Sequence, residues 1–293
     1  MRINLISRLN DTSRLETLTF HNDICAWFLH KALIDAGVDS RLISDSKRVK
    51  SPQPETDHTI VVSEAAYIRM RNEGGYTQRM RASTMGKLTC YINTDKLRGN
   101  DRIFDYCFTH IGPVNYRPEK YIYAGWGVDP DCSYPEQNEK AAFLDSKHQH
   151  PRKLRKIRKA YQTYDRVLSE HDIKIHNPVI AYNESRRRLP YPDYQAILRK
   201  CHYFLCTHIE EGGLNNLEAA ACGALLVVPR ALYRKRTMSL LNHRVWSTEK
   251  ELRNILHEDV DIEANRRRAL EHTWDHVAQR ILSTLYHSCT EPR

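Results

Sequence analysis

At 293 residues, 41% of them apolar, the chain is long enough for two ordinary α/β domains and apolar enough to pack both, which excludes a disordered protein. No apolar run approaches the roughly 20 residues of a membrane span, and the opening MRINLISRLNDTSR lacks the apolar stretch and cleavage site of a secretory leader. Eight scattered cysteines without a CxxC pair argue against a zinc site or a disulfide framework, so a reducing cytoplasm is expected. The net charge of +9 suits an anionic partner or a merely solvated surface.

Arg2 to Ile6 reads as a short strand, followed by the polar loop SRLNDTSRLET. The next helix carries Ile24, Trp27 and Phe28 on one side and Cys25, Leu29, Ala32 and Ala36 on another, which predicts burial between layers. Gly37 fits the position just past its end, and VDSRLIS starts a second strand, a βαβ opening. Strands HTIVVSE, KLTCYINTD, DYCFTH and KYIYAGW follow without a hairpin dipeptide, which favours parallel pairing.

GVDPDCSYPEQNEK, Gly127 to Lys140, reads as a linker. The βα rhythm then restarts. AAFLDS is a strand, and Pro151 opens a helix with an apolar face of Leu154, Ile157, Tyr161, Tyr164 and Leu168. IKIHNPVIAY, HYFLCTH and ALLVVP read as strands, with helices from about Pro192 to Lys200 and from Leu214 to Cys222. The closing NRRRALEHTWDHVAQRILSTLYH reads as helical. The expected class is α/β, with two Rossmann-like domains.

Ligands of open parallel sheets sit at the carboxyl ends of strands. HYFLCTH ends in the loop IEEGG, and the helix from Leu214 aims its free N–H groups and positive dipole end at that edge. Gly212 and Gly213 let a ligand approach the backbone, and Glu218, about one turn into the helix, can reach a pair of vicinal hydroxyls. Read blandly, the same residues are a glycine turn with glutamates for solubility.

EEGGLNNLEAAACGALLVVP resembles the E-x7-E signature of retaining glycosyltransferases with the GT-B fold, whose two Rossmann-like domains face a central cleft. Glu210 and Glu218 fall on its two glutamates, Gly213 on the turn glycine, and Cys222–Gly223 on the helix end. Three other blocks agree in order: YAGWGVDPDCSYPEQ resembles the interdomain linker, RRRLPYPDYQAILRKCHYFLCTH the approach to the motif, and HTWDHVAQRIL the closing helix. The likeness covers the second half well and the first in outline. It implies an acceptor-binding domain at 1–135, a nucleotide-sugar-binding domain at 136–272, and a helix at 273–293 crossing back to the first. It also implies transfer from a nucleotide-sugar, a UDP-sugar, to a hydroxyl with retention, needing no bound metal and no tightly held cofactor.

In that resemblance Glu218 takes the ribose hydroxyls, Glu210 contacts the donor sugar, and the backbone of Gly213, Leu214 and Asn215 touches sugar or phosphates. The family's Gly-Arg start of the basic pair is Asp145-Ser146 here, so Lys147, Arg152 and Lys153 are the loosely matched candidates for the diphosphate. Arg152, Lys153, Arg155 and Lys156 crowd a helix N-terminus, where cations oppose the macrodipole by a few tenths of a kcal/mol each; a bound diphosphate would offset that. Arg158 and Lys159 fit a solvated face better.

Two readings of the acceptor stand beside a non-catalytic sugar-nucleotide-binding module. One is 5-hydroxymethylcytosine in double-stranded DNA, as in bacteriophage DNA glycosyl- or arabinosyltransferases; the other is a lipid-linked or cell-surface glycan. The window RMRNEGGYTQRMRASTMGK reads as a mobile basic loop around a Gly-Gly turn, and its Arg69, Arg71, Arg79 and Arg81 are candidates for a phosphate backbone. Arg8, Asp11 and Arg14, in the loop after the first strand, are acceptor candidates by position. His110, ending DYCFTH, joins Glu210 as a catalytic candidate, and His21 precedes the first helix. His272 and His276 have the spacing of metal ligands on a helix, but no third ligand is evident and surface histidines are the commoner case.

Overall fold

Parallel strands need crossovers of about a dozen residues or more, and the spacing between the apolar runs supplies them along the whole chain. The computed structural model describes residues 1–9, 13–18, 21–44, 56–62, 67–68, 72, 74–82, 84–91, 101–110, 118–136, 140–145, 154–176, 189–206, 213–233 and 240–290. Two compact units result: Met1–Gly127 with Trp274–Arg293, and Val128–Thr273.

In the first unit β1 (Arg2–Ser7), β2 (Asp39–Ser44), β3 (His58–Val61), β4 (Leu88–Tyr91), β5 (Tyr106–Thr109) and β6 (Tyr121–Tyr123) form one parallel sheet in the order β2-β1-β3-β4-β5-β6. Leu5 sits between Leu42 and Ile60 in register. The inner strands β3 and β4 are buried on both faces, as parallel strands covered by helices must be, whereas edge strand β2 exposes Asp39 and Arg41 and buries Ser40 and Leu42.

Helix α1 (His21–Asp35) buries Cys25, Ala26, Phe28, Leu29, Ala32 and Leu33, while Ile24 and Trp27, from its second apolar side, are half-buried. Gly37 takes φ +78° past its end, and Val38 N–H donates to the Leu33 carbonyl, the helix stop expected from the sequence. Residues Gly74–Ala82, expected as part of a loop, form helix α2, anchored by buried Met80. The two glycines occupy its first positions, where low propensity matters less than in a helix interior. The last helix of the chain also belongs to this unit: Trp274 stacks on Phe28 with ring centroids 6.1 Å apart. At Gly127 a Cβ would lie 2.6 Å from the Trp274 backbone, so this approach admits only glycine.

In the second unit β7 (Ala141–Asp145), β8 (Lys174–His176), β9 (Tyr203–Cys206), β10 (Leu225–Pro229) and β11 (His243–Trp246) form a second parallel sheet, ordered β11-β10-β9-β7-β8. Of the run IKIHNPVIAY, residues 177 onward lie outside the described ones. Helices α3 (Leu154–Glu170), α4 (Tyr191–Leu198), α5 (Leu214–Ala221), α6 (Glu249–His257) and α7 (Ile262–Ala269) follow in chain order. Tyr164, Val167 and Leu168 of α3 join Leu205, Val227, Trp246, Leu252 and Leu256 in one core. The Tyr164 hydroxyl points to the carbonyls of Cys206 (3.2 Å) and Val227 (2.9 Å) and accepts from Trp246 Nε1 (3.1 Å). It ties the carboxyl end of β9 to the middle of β10.

The closing run, expected as helical throughout, splits into α7 and α8 (Trp274–Thr290). Between them the His272 carbonyl accepts from Val128 N–H at 2.9 Å and Thr273 bridges to Val128, which pulls the backbone out of helical geometry. His272 and His276 therefore do not share a helix, and the spacing that suggested metal ligands does not hold in space. Part of the expected linker is built into the second unit. Asp129 Oδ1 accepts from the N–H groups of Asp131 and Cys132, and Arg199 pairs with Glu136 at 3.6 Å and lies over the Tyr134 ring at 4.4 Å. Among the described residues no helix is long and apolar enough to cross a membrane, and no three His, Cys, Asp or Glu side chains gather as metal ligands would.

Candidate functional site

The second sheet starts at β7, steps outward to β8, then returns to β9 on the other side of β7. That reversal is the switch point where open α/β sheets leave a crevice at their carboxyl edge. Asp145 and Cys206, the last residues of β7 and β9, are direct Cα partners, and each is followed in the chain by a segment that holds candidate residues. The first carries Lys147, Arg152 and Lys153, the second Glu210 and Gly212; these five lie outside the described residues.

The far wall of the crevice is α5, with Gly213 as its N-cap. Gly213 has φ −73°, and a Cβ built on it would meet nothing within 4 Å. Neither backbone strain nor crowding among the described residues asks for glycine at the start of α5. Leu214 is buried and Asn215 half-buried, with their backbone at this end of the helix.

Glu218 follows one turn later and is only 2% exposed. A carboxylate in such a place must find donors, because an uncompensated buried charge costs several kcal/mol. Tyr191 Oη donates to Glu218 Oε1 at 2.8 Å, and Gln195 Nε2 donates to Tyr191 Oη at 2.9 Å. Burial, then the Glu218 charge, pushes the Tyr191 phenol well above its usual range, so it stays a donor. The same two causes raise the Cys222 thiol, which argues against an acidic, reactive cysteine there.

The carboxyl end of α5 is held equally firmly. Gly223, φ +85°, closes the helix with Ala224 N–H donating to the Ala219 carbonyl. Arg266 Nη1 donates to the Ala221 carbonyl (2.8 Å) and the Ser133 carbonyl (2.6 Å), and Asn265 Nδ2 to the Gly223 carbonyl (3.0 Å). Tyr191, Gln195 and Arg266 are not among the site residues expected from the sequence. A readable signal existed for Gln195, a polar residue at i+4 from Tyr191 on the face of α4 that Leu198 also uses.

The first sheet has its own reversal between β1 and β3, and the residues expected to contact an acceptor by position cluster after β1. Arg8 pairs with Asp23 of the first turn of α1 at 3.5 Å, Arg14 is exposed, and Asp11 lies outside the described residues. His21 opens α1. His110 follows β5, buried between the rings of Tyr91 (4.0 Å) and half-buried Trp126 (3.7 Å). Arg79 and Arg81 are exposed on α2; Arg81 donates to the Ile103 carbonyl and lies 3.9 Å from Asp105. Arg69 and Arg71 lie outside the described residues. An open cavity of about 390 Å³ between β6 and α8, lined by Tyr123, His276, Gln279 and Arg280 among others, contains none of these candidates.

Residues 172–283 match the family model described as glycosyl transferase-like. No curated protein matches the chain significantly. Among solved structures it is similar to HepE from Anabaena in complex with UDP, at TM-score 0.56 and 13% identity over 98% of this chain and 100% of that one. It is also similar to the O-GlcNAc transferase from Thermobaculum terrenum, at TM-score 0.51 and 14% identity over 97% of this chain and 66% of that one. The two Rossmann-like halves are those of the GT-B fold.

Proposed function

We propose that this chain, a glycosyltransferase by the family its second half matches, takes its sugar from a UDP-sugar and transfers it to a hydroxyl with retention of configuration. The observation that carries the donor reading is Glu218: a buried carboxylate one turn into α5, which begins at a glycine N-cap. A carboxylate is an acceptor only, and two vicinal ribose hydroxyls are its natural donors. The start of α5 then faces the diphosphate or the sugar through the backbone of Gly213, Leu214 and Asn215. Glu210 is the group beside the donor sugar, and Lys147, Arg152 and Lys153 neutralise the diphosphate as it leaves. Negative charge grows on that leaving group in the transition state, and a helix N-terminus with fixed cations stabilises it. The UDP bound to HepE is consistent with the donor.

Titration of UDP against the wild type and Glu218→Ala tests this. Loss of about 1–3 kcal/mol, roughly five- to 150-fold in Kd, is expected; an unchanged Kd refutes the assignment. The anomeric configuration of the product, read by NMR, decides retention.

For the acceptor, 5-hydroxymethylcytosine in DNA rests on charge: the net +9 and the exposed Arg79 and Arg81. The contacts of Arg81 with Ile103 and Asp105 already occupy part of its fork, which weakens its claim to a phosphate. Neutralising both arginines should flatten the log–log salt dependence of DNA binding by nearly 2 if both meet phosphates. Transfer to a glycan acceptor and never to hydroxymethylated DNA decides for the other acceptor.

A further inference from the structure

Glu218 lies in a helix whose other buried residues are largely alanine and leucine, so something outside the helix must fix its carboxylate. Among the described residues, a file of donors reaches it from the segment 128–136. Ser133 Oγ donates to Gln195 Oε1 (3.2 Å), Gln195 Nε2 to Tyr191 Oη (2.9 Å), and Tyr191 Oη to Glu218 Oε1 (2.8 Å). All four side chains are buried.

The direction of the file follows from counting protons. Tyr191 has one hydroxyl hydrogen, and the carboxylate can only accept, so that hydrogen goes to Glu218. The amide edge facing Tyr191 must then be the NH2 of Gln195, which leaves its oxygen for Ser133 and, more weakly, for Cys222 Sγ at 3.8 Å. Ser133 is itself fixed through its backbone, by Asp129 and by Arg266. The file ends on the carboxylate, which has more lone pairs than the Tyr191 hydroxyl can fill.

We propose that Tyr191 and Gln195 are positioning residues for nucleotide recognition: they lock the Glu218 carboxylate in one orientation, and thereby set the preference for a ribonucleotide over a 2′-deoxyribonucleotide. The proposal rests on the reading of Glu218 as the ribose ligand. Tyr191 and Gln195 touch no substrate. Their effect is on the orientation of the Glu218 carboxylate, and a carboxylate free to rotate would lose part of the gain from a two-hydroxyl contact to conformational entropy.

The test is calorimetric titration of UDP and 2′-deoxy-UDP into the wild type, Glu218→Gln, Tyr191→Phe and Gln195→Met. The wild type should prefer UDP by about tenfold, the worth of one hydrogen bond to a charged group. Tyr191→Phe and Gln195→Met should erase most of that preference by weakening UDP alone, with 2′-deoxy-UDP affinity kept within about twofold. A merely structural role would weaken both nucleotides together and leave their ratio intact, and that result overturns the proposal. Should Tyr191→Phe not fold, Gln195→Met carries the same comparison. Retention of the ribose preference by Glu218→Gln overturns the underlying reading of Glu218; its loss there, with the preference intact in Tyr191→Phe and Gln195→Met, overturns only the positioning role.

Discussion

Tyr164→Phe removes one oxygen from the centre of the second unit. Its hydroxyl accepts from Trp246 Nε1 and points to the carbonyls of Cys206, at the end of β9, and Val227, in the middle of β10. The two carbonyls lose an extra partner, a modest change. Trp246 Nε1–H loses this acceptor in a place where Trp246 is nearly buried. An orphaned buried donor costs about 1–3 kcal/mol, so roughly 2 kcal/mol is expected for the substitution as a whole. Trp246→Phe removes the donor instead, with an added cost for lost indole volume. In the double variant no donor is left stranded, so its cost should fall short of the sum of the singles by about 1 kcal/mol. Hydrogen exchange of the β9 and β10 amides reads the local opening of this sheet directly, and about 2 kcal/mol corresponds to about 30-fold faster exchange. Strict additivity, or exchange unchanged by Tyr164→Phe, would refute the view that the hydroxyl ties these strands together.

Tyr91, Tyr164 and Tyr191 are buried, and burial raises each phenol well above its ordinary value. The unfolded chain releases these protons near pH 10 while the fold retains them, so stability should fall as pH rises through about 10, by up to about 1.4 kcal/mol per pH unit per tyrosine. Urea melts between about pH 8 and 11 check this, and a flat profile contradicts it. Arg266→Met removes two charge-assisted bonds, one to the end of α5 and one to the Ser133 carbonyl, and should cost about 3 kcal/mol, seen as faster exchange in residues 214–224; exchange at the wild-type rate would show that α5 is held from its other end. Gly127→Ala places a methyl against the Trp274 backbone, and a loss of about 1–3 kcal/mol in the thermal unfolding of the first unit is expected, where no loss would mean that α8 can shift.

What the sequence revealed of the fold came from periodicity. Apolar runs such as TIVV and LLVV, separated by helical stretches, stated both the strands and their parallel pairing. Edge strand β11, HRVW, stayed hidden because half of it is charged or polar, whereas α6 does carry a local signal, the Thr248–Glu251 capping box, both of whose hydrogen bonds form. The split between α7 and α8 has no local signal: Leu270 continues the apolar pattern, and the interruption comes from Val128, far away in the chain. At the site, Gly213 and Glu218 were legible from their offset on one helix. The Tyr191 contact with Glu218 was not, since it spans 27 residues of sequence and depends on how α4 packs beside α5, whereas the Gln195–Tyr191 pair was readable as i and i+4 on one helix.

Val128 and Thr273, the first and last residues of the second unit, are bridge partners. That unit is thus an insertion whose entrance and exit coincide, and the flanking Gly127 and Trp274 touch within the first unit in the same way. A segment with joined ends carries almost no closure entropy when it folds, and it can be lifted out or re-ended without stretching the backbone. Residues 128–273 are therefore a cassette: expressed alone they should keep their own sheet. A short loop from Thr273 to Val128 would let new termini open elsewhere on the unit's surface, and a homologous unit could be spliced into the same two junctions.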